Sequence, residues 1–197
     1  MPDVDDLQRR RAVQDRIAAS CGIRRRAEWR AREPMHPLQP DWNYDSIVMH
    51  YTGHGNYPNV RSIQDFDIDH QNWDDIAYHY AVTKEGQVFE GREIIYKGSH
   101  VKLQNTGKIG IVCVGDFDAN WRNLFQGHSP SGDQVEQPML AAVRRLCRTL
   151  ISCFPIRVFG GHKEYGDVET CPGSNLMPVV ATLRQEFRLS APVFRRF

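Results

Sequence analysis

His50, His162 and Cys171 are the residues of this chain whose types and setting suit chemistry. His50 ends the apolar run Ser46-Ile47-Val48-Met49, and the other two flank one loop, Gly160-Gly161-His162 through Thr170-Cys171-Pro172-Gly173. Two imidazoles and one thiolate form a complete protein ligand set for a catalytic zinc, which keeps its fourth tetrahedral position for water. Gly160 and Gly161 let the backbone approach a neighbour closely, and Pro172-Gly173 forces a sharp turn after Cys171. Taken singly, His50 reads as a satisfied, partly buried histidine and Cys171 as an inert thiol. With those turn residues around them, the three together read as a hydrolytic zinc site. A second arrangement, Cys171 as nucleophile with His162 as its base, stays open, although it leaves His50 without a role.

The bulk composition narrows the classes. A chain of 197 residues suits one domain plus tails and can bury a substantial core. A formal net charge of +1 gives no global reason to expect nucleic acid or an anionic membrane as partner. No apolar run approaches the roughly 20 residues that span a bilayer. The opening stretch, Met1 to Arg11, lacks the apolar core of a secretory signal, so the chain as written is not expected to enter the general export pathway. The cysteines Cys21, Cys113, Cys147, Cys153 and Cys171 are odd in number and include no Cys-x-x-Cys pair. That argues against a disulfide scaffold and a four-cysteine zinc knuckle. Cys113, inside the apolar run Ile109 to Val114, reads as a buried thiol. A bridge from Cys21 to Cys147 or Cys153 stays open.

The elements that would position the trio can be read in order. Residues 1 to about 20 read as a solvated helix or a mobile arm, and the domain proper begins near Arg26. The division expected is an arm over 1–22, a domain over 23–190 and a tail over 191–197. Asp45 to Tyr51 reads as a buried strand. Asn56-Tyr57-Pro58 is expected to open a helix whose apolar face holds Val60, Ile63 and Phe66. Ala77 to Thr83, a Lys84-Glu85-Gly86 turn and Gln87 to Gly91 read as a hairpin. Lys108 to Gly115 reads as a strand, and residues 118 to 133, with Asn120, Gly127, Pro130, Ser131 and Gly132, as a polar loop. Pro138 starts an amphipathic helix with Leu140, Val143, Leu146, Leu150 and Ile151 on one side. Ile156 to Phe159 reads as a strand feeding the His162 loop. A last helix carries Leu176, Val179, Val180, Leu183 and Phe187. Strands mixed with covering helices give an α/β class.

Segment after segment resembles the family of peptidoglycan recognition proteins and zinc N-acetylmuramoyl-L-alanine amidases, which includes phage lysozymes of the amidase type. The matching segments are Arg26-Ala27-Glu28-Trp29-Arg30-Ala31-Arg32, Ile47-Val48-Met49-His50-Tyr51-Thr52 and Asp75-Ile76-Ala77-Tyr78-His79-Tyr80. Phe89-Glu90-Gly91-Arg92, Gly98-Ser99-His100, and Asn105 with Ile109-Gly110-Ile111 follow. Gly161-His162-Lys163-Glu164 and Thr170-Cys171-Pro172-Gly173 close the set. The likeness covers about residues 24 to 187 in order. It implies a central mixed β-sheet flanked by helices, with Zn²⁺ at the floor of a cleft, held by His50, His162 and Cys171. Tyr78 would lie beside the metal and donate a hydrogen bond to the developing oxyanion. Arg92, His100 and Asn105 are implied as substrate contacts, with Arg92 suited to a bidentate pair with a carboxylate.

Departures from the family pattern leave specific questions. His162 and Cys171 lie nine residues apart, one more than in most members, and Glu169 stands where a Lys or Thr is usual. Either Glu169, as general base, or Thr170, orienting the attacking water, would then face the metal. Phe66-Asp67 replaces an aromatic-histidine pair, and the cysteines of the family's mid-domain disulfide are missing. Ile95-Tyr96 fits neither familiar pair that selects the stem-peptide residue, diaminopimelate or lysine. Val112 stands where the wall-recycling enzymes are expected to carry a strand glutamate.

The expectation is a monomeric zinc amidase that cuts the bond between the lactyl group of N-acetylmuramic acid and L-alanine in peptidoglycan. It would be made in the cytoplasm and reach the wall by lysis or dedicated secretion. A non-catalytic peptidoglycan-binding module is the main alternative. A further one is an interaction protein that uses Arg9 to Arg11 and Arg24 to Arg26 to reach an anionic partner.

Overall fold

A computed structural model describes residues 4–53, 57–120, 129–166 and 168–193. The expected helix cap Asn56, Gly127 with the rest of 121–128 in the 118–133 loop, and the last four residues of the tail lie outside the described residues. The elements are α1 (Val4–Cys21), β1 (Ser46–Tyr51), α2 (Val60–Asp69), β2 (Tyr80–Val82) and β3 (Val88–Glu90). They continue with β4 (Lys108–Cys113), α3 (Gln137–Cys153), β5 (Val158–Gly161) and α4 (Met177–Glu186). The strands form one mixed sheet in the order β3-β2-β4-β1-β5. β1 runs parallel to β4 and β5, β2 runs parallel to β4, and only β3 is antiparallel to its neighbour. This is the α/β class that the mix of strands and helices predicts, and the central mixed sheet that the resemblance implies.

The centre of the sheet is buried on both faces, which explains why β1 and β4 read as continuous apolar runs. Successive side chains nevertheless point to opposite faces. Ile47 and Met49 of β1, with Ile109, Ile111 and Cys113 of β4, enter the main core under α1, α3 and α4. Val112 faces the other way, onto a smaller cluster with Val60 and Ile63 of α2. Val48 likewise leaves the main core to pack with Val101 and Tyr165. His50 shares the parity of Val48. A register slip of one residue would send it into the helical core.

Two local readings change. Helix α2 begins at Val60, and its cap is Asn59, whose side chain accepts from the Ser62 backbone N–H at 3.0 Å. Phe66 does not join the buried face; it is exposed and packs edge-on against Tyr57. The buried face holds Ile68 and two polar residues instead. Gln64 bonds Asp75 and the Arg32 backbone, and Asp67 accepts from Ala77 N–H at 2.9 Å. A helix face that docks through polar groups carries no clear apolar period.

The same reason hid the packing of α1. Ile17 and Cys21 enter the main core, while buried Gln14 donates to Glu90 at 2.9 Å and Glu93 at 3.1 Å. Of the arginines considered for an anionic partner, Arg10, Arg11, Arg25 and Arg26 pair with Asp6, Glu93, Glu90 and Asp75 of this same chain. All five cysteines lie among the described residues, and no disulfide joins any of them. Cys21 Sγ instead lies 3.3 Å from Thr149 Oγ1. Burial pushes the Cys113 thiol up to about 12, so it stays a protonated core group. No helix among the described residues is long and apolar enough to cross a membrane.

Candidate metal centre

Strand pairing brings the two histidines together. β1 and β5 run in parallel register through Met49 and Gly161, so the next residues in each chain, His50 and His162, emerge side by side. Their rings lie 4.5 Å apart between centroids. His162 opens a short 3-10 turn, His162–Tyr165, fixed by Glu164, whose carboxylate accepts from Gly161 N–H at 2.8 Å and pairs with Arg184. Gly161 admits no side chain: a Cβ there would meet Met177 Sδ at 2.5 Å and Pro172 Cδ at 2.7 Å.

The loop then returns Cys171 to the same place. Lys163 N–H donates to the Cys171 carbonyl at 2.7 Å and closes the segment between them. Gly173, at φ +94°, turns the chain away, and a Cβ there would fall 2.4 Å from the Phe117 backbone. Cys171 Sγ ends 3.7 Å from His50 Nδ1. One ligand atom from each of His50, His162 and Cys171 lies within 4.8 Å of the others.

The donor set fits zinc. In a tetrahedral site with bonds of about 2.0–2.3 Å, neighbouring ligand atoms lie roughly 3.3–3.8 Å apart, the range in which the sulfur–nitrogen distance falls. His50 is 1 % exposed, and burial, with His100 and His162 nearby, holds its pKa well below the usual histidine range. A neutral imidazole is the form that ligates.

Tyr78 stands beside the trio, its ring 5.0 Å from that of His50. Burial raises its phenol well above the ordinary value, and Asp67 and Cys171 add to the effect, so it is a hydrogen-bond donor at neutral pH. Glu169 and Thr170 are both exposed on the loop before Cys171, and Thr170 Oγ1 lies 3.3 Å from the Tyr51 hydroxyl.

Three residues inferred as substrate contacts occupy different settings. Arg92 is buried and donates to the carbonyls of Ile76, Asp75 and Lys97 and to Ser99 Oγ, at 2.8–3.1 Å. It thereby ties the approach to Tyr78 to the approach to His100. His100 is 5 % exposed with its Nδ1 3.0 Å from His50 Nε2. Asn105 Oδ1 accepts from the backbone N–H groups of His100 and Val101, both at 2.7 Å.

Two cavities flank the centre. One, of about 580 Å³, is lined by Trp73, Ser99, His100, Asn105 and His162; the other, of about 230 Å³, by Thr52, Tyr57, Asp67, Trp73 and Tyr78. Trp73, 37 % exposed, belongs to both walls, so the two form adjoining parts of one cleft. Sequence reasoning singled out neither Trp73 nor His79. His79 is fully buried, accepts from Gly110 N–H at 3.0 Å and is pushed down to about 4 by burial. A histidine adjoining a β-strand carries no mark that separates such a scaffold role from a ligand.

The mixed sheet carries a His-His-Cys cluster that could hold a metal ion, and likeness to known proteins gives the family. The family model described as N-acetylmuramoyl-L-alanine amidase (Amidase_2) matches residues 40–174, and the chain belongs to that family. It is 30% identical over 131 residues to an N-acetylmuramoyl-L-alanine amidase of Sus scrofa, covering 63% of this chain but only 19% of the pig protein. Peptidoglycan-recognition protein SC2 of Drosophila simulans is 27% identical over 165 residues, covering 80% of this chain and 83% of the fly protein. Among solved structures, the endolysin amidase LysCS of Clostridium intestinale superposes with a TM-score of 0.65 at 25% identity. That match covers 81% of this chain and 93% of LysCS.

Proposed function

We propose that this chain is a zinc-dependent N-acetylmuramoyl-L-alanine amidase that hydrolyses the amide between the lactyl group of muramic acid and L-alanine, acting as a lytic or delivered wall hydrolase. The observation that carries the reading is the meeting of His50, His162 and Cys171 within 4.8 Å beside Tyr78. His50 and His162 would ligate as neutral imidazoles and Cys171 as a thiolate. When bound there, zinc would supply Lewis-acid polarisation of the scissile carbonyl and acidification of water.

The chain's own groups then divide the work. Tyr78 donates its phenolic hydrogen bond to the carbonyl oxygen as negative charge develops on it. Glu169 takes a proton from the attacking water and returns it to the departing L-alanine amine. Thr170 orients that water. Asn105 lines the wall along which the substrate lies, and Arg92 and His100 fix the cleft behind it. The products are a lactyl carboxylate on the glycan and a stem peptide with a free amino terminus.

A second reading, a module that binds peptidoglycan without cutting it, draws support from the fly relative, whose name is that of a recognition protein. Incubation of the purified protein with sacculi separates the two. Amidase action releases new L-alanine amino termini and stops on chelation. Full activity in metal-free protein would defeat the zinc assignment, and zinc-loaded protein that binds without releasing termini would favour the recognition module.

A further inference from the structure

Two glycines packed against one histidine ring point to a role for His100 outside the ligand set. Gly110 lies inside β4, where glycine weakens a strand and marks a close approach. A Cβ there would fall 2.6 Å from His100 Cδ2 and 2.7 Å from Cγ. A Cβ on Gly98 would fall 2.4 Å from the same Cδ2. The His100 ring therefore occupies a slot that neither position leaves open with a side chain.

Inside that slot both ring nitrogens meet protein atoms. Nε2 lies 3.3 Å from the Lys108 carbonyl, which only accepts, so Nε2 carries the hydrogen. The ring lies between those of His50 and His79, at centroid distances of 5.0 and 5.8 Å, and a neutral imidazole carries one N–H. Its Nδ1 is then an acceptor, 3.0 Å from His50 Nε2. His50 must donate from Nε2, which leaves its lone pair at Nδ1, the atom 3.7 Å from Cys171 Sγ.

We infer that His100 is a positioning residue: through the relay from the Lys108 carbonyl it locks His50 as the Nε2–H tautomer and turns a bare Nδ1 into the His50–His162–Cys171 cluster. The inference rests on the metal reading of that cluster. It also gives Asn105 a part, because its side chain holds the His100 and Val101 N–H groups that set the ring's backbone. Outer partners of this kind typically change metal affinity roughly 10- to 100-fold.

Two measurements on the full chain test it. In metal-free protein, long-range ¹H–¹⁵N correlation of the imidazoles should show His50 protonated at Nε2, and His100→Leu should lose that single tautomer. Chelator competition should show zinc affinity falling roughly 10- to 100-fold in His100→Leu. His100→Asn, whose Oδ1 falls where Nδ1 lies, should recover most of it. A His50 protonated at Nδ1 in the wild type, or a folded His100→Leu with wild-type zinc affinity, would overturn the inference. If the wild type takes up no zinc, the metal reading fails while the tautomer spectrum still decides the role of His100. If His100→Leu does not fold, the wild-type spectrum and His100→Asn carry the test.

Discussion

In the proposed reaction the half-buried Tyr78 phenol, ring to ring with His50, would meet the developing oxyanion. Tyr78→Phe keeps the ring and removes only the donor. It should lower kcat by roughly 10²–10³-fold with zinc content unchanged, measured as turnover and bound metal on one preparation. Glu169 and Thr170 separate by kinetics. Glu169→Gln should cost roughly 10²–10⁴-fold in kcat, whereas Thr170→Val, which removes only an orienting hydroxyl, should cost far less. Asp67 tests the electrostatics of the cleft. Burial pushes its carboxyl up to about 7, against 3.8 when unperturbed. Its neutral form therefore contributes stability that is whole below about pH 3.8 and is lost as pH rises through 7. Asp67→Asn keeps an acceptor for Ala77 N–H and should stabilise the fold by on the order of 1–3 kcal/mol at pH 8, and by little at pH 4, in thermal unfolding. The meeting of His50, His162 and Cys171 was legible because few residue types suit a metal and these sit beside turn formers. The relay behind His50 was not, since it depends on Gly98, Gly110 and Lys108 meeting across the sheet.

Among the elements, those with an apolar period were readable and those that dock through polar groups were not. β1, β4 and α3 follow from their runs of Ile, Val and Leu, and the hairpin from Lys84-Glu85-Gly86. Val60 and Ile63 of α2 lie inside as their apolar pattern implies, but Gln64 and Asp67 complete that face and Phe66, its third apolar residue, lies outside. α1 has few apolar residues, yet Ile17 is fully buried in the main core. Ile17→Ala should therefore destabilise the domain by about 2–5 kcal/mol in urea unfolding, as deep core truncations do. A cost below about 0.5 kcal/mol, the surface range, would mean that α1 is not part of the folded unit. Phe66→Ala should fall near that surface range.

Across the molecule the sheet separates two tasks. One face is closed by α1, α3 and α4 into the main core, and the other carries α2, the cleft and the His-His-Cys cluster. The alternation of β1 side chains joins them, because the strand that anchors Ile47 and Met49 in the core must turn His50 outward. With a net charge of +1, the chain offers no general electrostatic pull on a charged polymer, so selection rests on the cleft. The most direct test is mass spectrometry of sacculi digested by the zinc-loaded protein, with Cys171→Ser as control. Stem peptides beginning at a free L-alanine and glycan strands bearing free lactyl carboxylates should appear, both missing from the control. Glycan and stem left joined by a zinc-loaded, wall-bound wild type would contradict it.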